Sequence, residues 1–478
     1  MNKKYIYYFL FAAILTDVTY SFLQHYSMPL DGDLAGGIVP AEDVKRILKD
    51  PFGISVITEN AIYPNPNRYF AHWAFYTFFN NAPQLIQNFV TPIDSVYISA
   101  AIAKTCIQLL IIVLLALYII GRKNLFNSDF LITTTLLVPL FQTNGYRSYM
   151  GIIDPSITYT FFYALPCALL LLFYLPFFFD SYYGMTLMKK PILKTFVFIL
   201  AIIVVFNGAL NPGIILTITI LLIANAFFKT DTNLSLSKRV IQVFTNVPKT
   251  ILFCTVFVSL LSLYAIFIGT NNSIFLGETI SLAERYSRIP KGLMNIVTQK
   301  MAISIFLLII SINIYLLRRN IVNEEINRSL RLFSWIGLFS LLYIIFLPLG
   351  GYKDYRPYIL RYDTIMPITI GLIFIYAKSS FQLLKLFEGK RKISYILLIA
   401  LTTIIFSYAD KPEFNKNKCE AMALEKISKS NTKIVYIEND CTILSWTKIL
   451  DSEKSTLNGQ LLQIWNIANE SKQYYQNK

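Results

Sequence analysis

The sequence predicts an all-α polytopic membrane protein of about eleven transmembrane helices, with a small extracytoplasmic α/β appendage at its C-terminal end. Three observations carry this. Apolar runs near the ~20 residues that cross a bilayer recur between residues 5 and 409. Charged side chains are 15% of the 478 residues, against about 25% in soluble domains. Beyond residue 410 the composition turns polar.

The spans are expected near 5–24, 97–120, 129–143, 157–179, 193–208, 212–228, 250–269, 299–317, 331–349, 362–378 and 393–409. The third, fifth and sixth are short. The fifth and sixth meet at Asn207-Gly208-Ala209-Leu210-Asn211-Pro212, a break at membrane depth that must be buried in protein or face a wet cavity. The net charge of +15 invites a nucleic-acid reading. Much of the Lys and Arg, however, sits in short loops between spans, which is the signature of topology rather than of a nucleic-acid surface.

Orientation follows from those cations. With the N-terminus in the cytoplasm, every short inner loop is basic, including Arg122, Lys123, Lys189, Lys190, Arg318 and Arg319. An odd number of spans leaves the C-terminus outside. The amino end is a poor cleavable signal, because its apolar run lacks a small-residue cleavage site and meets Asp17. The chain then divides into a transmembrane domain, 1–410, with a long first outer loop at 25–96, and a C-terminal domain, 411–478.

The long outer loop holds the most informative residues. In Pro29-Leu30-Asp31-Gly32-Asp33-Leu34 two carboxylates stand one residue apart in a glycine-containing turn, where either can act as a general base or both can hold a cation. An ordinary solvated turn has the same composition. Residues 40–49 place Val44, Ile47 and Leu48 at helical spacing opposite charged neighbours, which suits an interfacial helix. Residues 69–79 are dense in aromatic rings, as in a headgroup layer. Arg68 and His72 flank or lie in that stretch.

Other outer loops add Arg147, Lys353, Arg356 and Arg361, with Asp363 beside the last. Cations outside run against the positive-inside trend, and Arg binds phosphate through its planar fork. Lipid headgroups or local pairing with Asp354 and Asp363 would explain any one of them equally well, but the set less well. Together, Arg68, His72, Arg147, Lys353, Arg356, Arg361 and Asp363 form the candidate substrate-binding set. Within the membrane, Asp17 and Lys104 are each costly alone and are expected to pair.

The region after 410 carries one short apolar strand, 433–437, between two helical patterns, 421–427 and 457–468. Cys419 and Cys441 lie in it, and in an oxidising compartment they would close a loop of roughly twenty residues, worth about 3 kcal/mol. The remaining cysteines read as buried small hydrophobes. Walker-type glycine loops, His-Glu-x-x-His and Cys-x-x-Cys are absent, and two histidines rule out a multi-histidine metal site.

Asp31-Gly32-Asp33-Leu34-Ala35, followed by a helical stretch ending Ile47-Leu48-Lys49-Asp50-Pro51, resembles the first outer loop of GT-C superfamily glycosyltransferases, whose bacterial members related to protein O-mannosyltransferases carry Asp-x-Asp-Glu-Ala there. Leu360-Arg361-Tyr362 with Pro367 is similar to the Arg-Tyr-Leu-x-Pro segment of a late span in the same group. The two matches cover about twenty residues. Leu34 stands where the group has Glu, and Asp363 where it has an apolar residue, which leaves Asp31 and Asp33 to share the work.

What the resemblance implies is an inverting transfer of sugar from a polyprenyl-phosphate carrier to a glycan, lipid or protein acceptor, at the outer face of a bacterial inner membrane. Asp31 or Asp33 would be the base, and outer cations would hold the lipid phosphate. No nucleic acid is involved. Two Asp can bind a divalent cation, but no third ligand is evident, so its participation stays open. A polysaccharide polymerase or lipid-carrier flippase is the first alternative, and a non-enzymatic scaffold built on the C-terminal appendage is the second.

Overall fold

The computed structural model describes residues 3–39, 42–121, 127–143, 150–275, 280–298, 302–320, 323–352, 356 and 358–477. Helices dominate. α1 (Lys3–Tyr26) leads into the long loop, which folds as α2 (Leu34–Ile38), α3 (Glu42–Lys49), α4 (Ile54–Thr58) and α5 (Tyr69–Ile86). The apolar body continues with α6 (Pro92–Ile120), α7 (Ser128–Leu140), α8 (Ile157–Tyr183), α9 (Pro191–Val205) and α10 (Asn211–Phe228). Next come α11 (Leu236–Asn246), α12 (Lys249–Gly269), α13 (Leu282–Thr298), α14 (Ala302–Arg319), α15 (Glu324–Phe346), α16 (Met366–Leu386) and α17 (Gly389–Ala409).

Among the described residues, nine helices are long and apolar enough to cross a membrane: α1, α6, α8, α10, α12 and α14–α17. α7 and α9 are apolar but shorter. Local signals set the ends. α6 has Pro92 in its first turn, Thr91 Oγ1 accepting from the Asp94 N–H (3.2 Å), and Gly121 closing it at φ +64°. α8 starts where the Ser156 hydroxyl accepts from the Tyr159 N–H (3.3 Å), and it opens with a π-helical turn over Thr160–Ala164.

The break between α9 and α10 is buried in protein. Asn211 is fully buried and its amide donates to the Val204 carbonyl (2.8 Å) and the Pro166 carbonyl (3.3 Å). A Cβ at Gly208 would lie 2.6 Å from Pro166, so only glycine allows that approach.

Residues 411–478 form α18 (Lys418–Lys429), β1 (Ile434–Ile437), α19 (Thr456–Ile464) and β2 (Gln473–Gln476), with the two strands parallel and Ile434 in register with Gln473. A disulfide joins Cys419 and Cys441. This unit is not a separate module. Its Leu424, Ile443, Leu461 and Trp465 share one apolar core with Leu34, Phe75 and Phe79 of the long loop and Tyr97 of α6. The Trp465 indole donates to the Phe79 carbonyl (3.0 Å). Within the aromatic stretch 69–79, Phe75 and Phe79 are fully buried in this core, and Trp73 is half exposed.

Glu420 fastens the three parts. Its carboxylate accepts from the Leu30 N–H (2.8 Å), the Tyr97 hydroxyl (2.9 Å) and the Leu444 N–H (2.9 Å). Burial pushes its pKa up to about 7, against those three donors. Glu420→Ala strands two buried N–H groups and a hydroxyl, so it is expected to destabilise the attachment of 411–478 by about 3 kcal/mol or more. Limited proteolysis should show that segment released from the variant long before the membrane helices are cut; equal protection would contradict the assignment.

Candidate functional site

A cavity of about 1680 Å³ opens where the long loop, α8, α10 and the C-terminal unit meet. Its position follows from one carboxylate. Asp31 is buried and accepts from Ser156 Oγ (2.7 Å), Thr158 N (3.0 Å), Thr158 Oγ1 (2.8 Å) and the Asp33 N–H (3.0 Å). The first three donors lie at the N-terminus of α8, whose dipole also favours a negative charge there. Asp31 therefore clamps the turn to α8, while Gly32 and Asp33 reach the cavity wall. A Cβ on Gly32 would fall 2.6 Å from the Trp446 backbone nitrogen, so glycine is what admits the C-terminal unit.

The opposite wall is cationic. Arg361 forks onto Asp363 through Nε (3.0 Å) and Nη2 (2.7 Å), and Arg356 reaches the same carboxylate (3.7 Å) and the Tyr159 hydroxyl (3.3 Å). Asp363 is buried, while both guanidinium side chains keep 21% exposure and line the cavity. Tyr159 and Tyr163 stack at 5.7 Å on the same surface, brought there by the first turns of α8.

Arg68 and His72 complete this wall. Asn65 accepts from Asn272 through its oxygen (3.2 Å), so its amide donates to His72 Nε2 (3.3 Å) and the His72 proton sits on Nδ1. Burial, then Arg68, pushes His72 down to about 3, and it stays neutral. Two buried donors here, Arg68 Nε and His72 Nδ1, have no hydrogen-bond partner among the described residues. An acceptor oxygen, of water or of a bound group, would satisfy both.

Beneath the wall lies a buried charge cluster. Lys104 of α6 donates to the Pro155 carbonyl, with the Asp154 and Asp31 carboxylates acting on it. Asp154 accepts from the Ser156 N–H (2.7 Å), and burial holds its carboxyl well above the usual range. This corrects the expected Asp17–Lys104 pair. Asp17 instead faces Asp410, whose carboxylate is held by the Thr143 N–H (3.0 Å) and hydroxyl (3.0 Å). Lys104 lies near Asp154 and Asp31 and is held by the Pro155 carbonyl.

Of the residues expected from sequence, Asp33, Arg68, His72, Arg356 and Arg361 line one cavity. Asp31 and Asp363 sit behind its walls as supports. Arg147 and Lys353 lie outside the described residues. Sequence reasoning missed Tyr159, Tyr163, Lys448 and Lys454, all of which line the cavity. The tyrosines had a signal, a four-residue spacing at the mouth of a span; the lysines had none. Among the described residues, no group of three His, Cys, Asp or Glu is placed to hold a metal ion.

The two carboxylates are expected to separate in a thermal-melt comparison. Asp31→Ala strands four donors and should cost about 3 kcal/mol or more, whereas Asp33→Asn at an exposed position should cost less, on the order of 1 kcal/mol or below. Similar melting losses in both would remove the distinction between clamp and cavity residue.

Comparison with protein-family models, with characterised proteins and with solved structures gives no match for this chain.

Proposed function

We propose that this protein is a membrane glycosyltransferase that moves a sugar from a polyprenyl-phosphate carrier to an acceptor hydroxyl, with inversion, on the extracytoplasmic side. The observation that carries this reading is one cavity with a carboxylate, Asp33, on one wall and three guanidinium groups on another, where Arg68 Nε and His72 Nδ1 have no partner among the described residues. A lipid-borne donor is supported by the cavity floor. It continues along Gly213, Leu216 and Ile220 of α10, an apolar strip ending at a side chain that is 45% exposed.

In this reading α7 and α9 also cross, giving eleven spans, with the N-terminus in the cytoplasm and the C-terminus outside a bacterial inner membrane. The basic inner loops support that orientation. The Asp33 carboxylate takes the proton from the acceptor hydroxyl as its oxygen attacks the anomeric carbon. The bond from that carbon to the phosphate oxygen breaks, and its electron pair leaves on the phosphate. Arg68, Arg356 and Arg361 stabilise the charge that collects there. Asp363 holds two of these guanidinium groups in place, so their geometry is set before the donor arrives. Asp31 keeps Asp33 on the wall and is itself saturated by donors.

Purified protein supplied with labelled polyprenyl-phosphate sugars and a hydroxyl acceptor should give transfer. Asp33→Asn should lower turnover by roughly 10²–10⁴-fold with the fold intact. Arg361→Lys should lower it as well, since an ammonium cannot reproduce the two-pronged contact. Full turnover in Asp33→Asn would overturn the base assignment, and absence of transfer from every polyprenyl-phosphate sugar would overturn the function.

A further inference from the structure

The cavity is more positive than a lipid-linked sugar requires. Among the described residues, its lining carries six cations, Arg68, Arg285, Arg356, Arg361, Lys448 and Lys454, against one carboxylate, Asp33. Counting Asp31 and Asp363 behind the walls and Asp440 against Lys448, the surplus is two positive charges. A sugar joined to a lipid through one phosphodiester brings a single negative charge. The cavity also has room left over, since about 1680 Å³ exceeds the ~300–1,000 Å³ typical of small-molecule pockets.

Part of the excess lies on a different wall. Lys448 and Lys454 belong to the C-terminal unit, where Ser445, Thr447 and Asn458 line the cavity beside them. The segment is held from both sides. Its Leu444 N–H donates to Glu420 (2.9 Å), and its carbonyl accepts from the Asn458 amide (3.2 Å). Leu444 itself sits at φ +46°, a conformation a branched side chain rarely adopts unless its surroundings impose it. At the rim, the Trp446 ring is 47% exposed and packs edge-on against Tyr159 at 6.1 Å. The Asn458 amide and the Ser445 hydroxyl are used in holding this segment, on Leu444 and Tyr474 and on the Thr447 carbonyl. That leaves the Thr447 hydroxyl and the two ammonium groups beside an open aromatic ring as a surface suited to a polyhydroxylated chain bearing negative charge.

We propose that the C-terminal unit is the acceptor-binding wall of this site, and that the acceptor is an anionic glycan whose acidic groups engage Lys448 and Lys454. The proposal rests on the transferase reading for the word acceptor, but the binding surface stands without it. Lys448 is paired with Asp440, an exposed carboxylate that occupies the place an acidic sugar would take. Asp440 is therefore a built-in competitor, and the glycan displaces it.

Binding of a polyuronate oligomer and of a neutral dextran oligomer of equal length, to the full-length protein in lipid nanodiscs, tests this. The polyuronate is expected to bind and the dextran to bind at least tenfold more weakly. Lys448→Glu/Lys454→Glu should weaken the polyuronate at least tenfold. Lys426→Glu, an exposed change on the same unit away from the cavity, should leave it unchanged and controls for general attraction to a basic protein. Asp440→Asn should tighten it about twofold or more, as expected for removing an exposed ion-pair partner. Equal binding of both oligomers, an equal loss in Lys426→Glu, or no effect of the lysine pair would overturn the proposal. A protein that binds polyuronate in this pattern but transfers no sugar would retain the glycan surface and lose the transferase reading. One that transfers sugar but binds both oligomers alike would do the reverse.

Discussion

Asp31 accepts four hydrogen bonds, three of them from Ser156 and Thr158 at the start of α8 and one from the backbone of Asp33 two residues on. The long loop, the first turn of α8 and the cavity wall all take their positions from that carboxylate. A charge so buried is costly unless every lone pair is used, and here the donors come from residues 125 and 127 positions away in sequence. The same anion is also compensated from below. Lys104 is held by the Pro155 carbonyl one residue before Ser156, so a polar chain runs from the interior of α6 to the backbone of Asp33.

A second clamp acts on the other side of the loop. Glu420 joins Leu30, Tyr97 and Leu444, and so ties the turn before Asp31 to α6 and to the C-terminal unit. The two carboxylates act on adjacent residues, Leu30 and Asp31. Between them they hold the loop between the membrane helices and residues 411–478. The apolar contacts follow the same plan, since Phe75, Phe79, Phe161 and Trp465 form one cluster drawn from the loop, α8 and the C-terminal unit. A unit of about seventy residues has little core of its own. It becomes stable here by completing the core of its neighbour, and in doing so it closes one wall of the cavity.

The site separates support from chemistry by burial. Asp31 and Asp363 are buried, and each already accepts from several donors or cations; Asp33, Arg356 and Arg361 face the open volume. Burial favours carboxylates that fix geometry, because an unmet donor or acceptor in that environment costs more than a met one contributes. Arg68 Nε and His72 Nδ1 break that rule. Both are at the cationic wall, beside the open volume.

By itself, the sequence determined what depends on neighbours along the chain. All eleven expected spans coincide with helices, because apolar length is a local property; two of those helices, α7 and α9, are shorter than a full crossing. The expected Cys419–Cys441 bridge is present for a related reason, since its two ends are only 22 residues apart. The gathering of Arg68, Arg356 and Arg361 was suggested by charges out of keeping with topology. Tertiary structure decided the rest. Asp31 and Asp33 are equivalent as letters, and only the arrival of Ser156 and Thr158 made one a clamp and left the other on the cavity. Lys104 lies near Asp154 and Asp31 rather than Asp17, because the neighbours of a buried charge are set by which helices pack, not by depth along each. Lys448 and Lys454 carried no sequence signal, since a lysine in a polar stretch acquires a role only when the fold turns its segment toward a cavity that distant residues enclose.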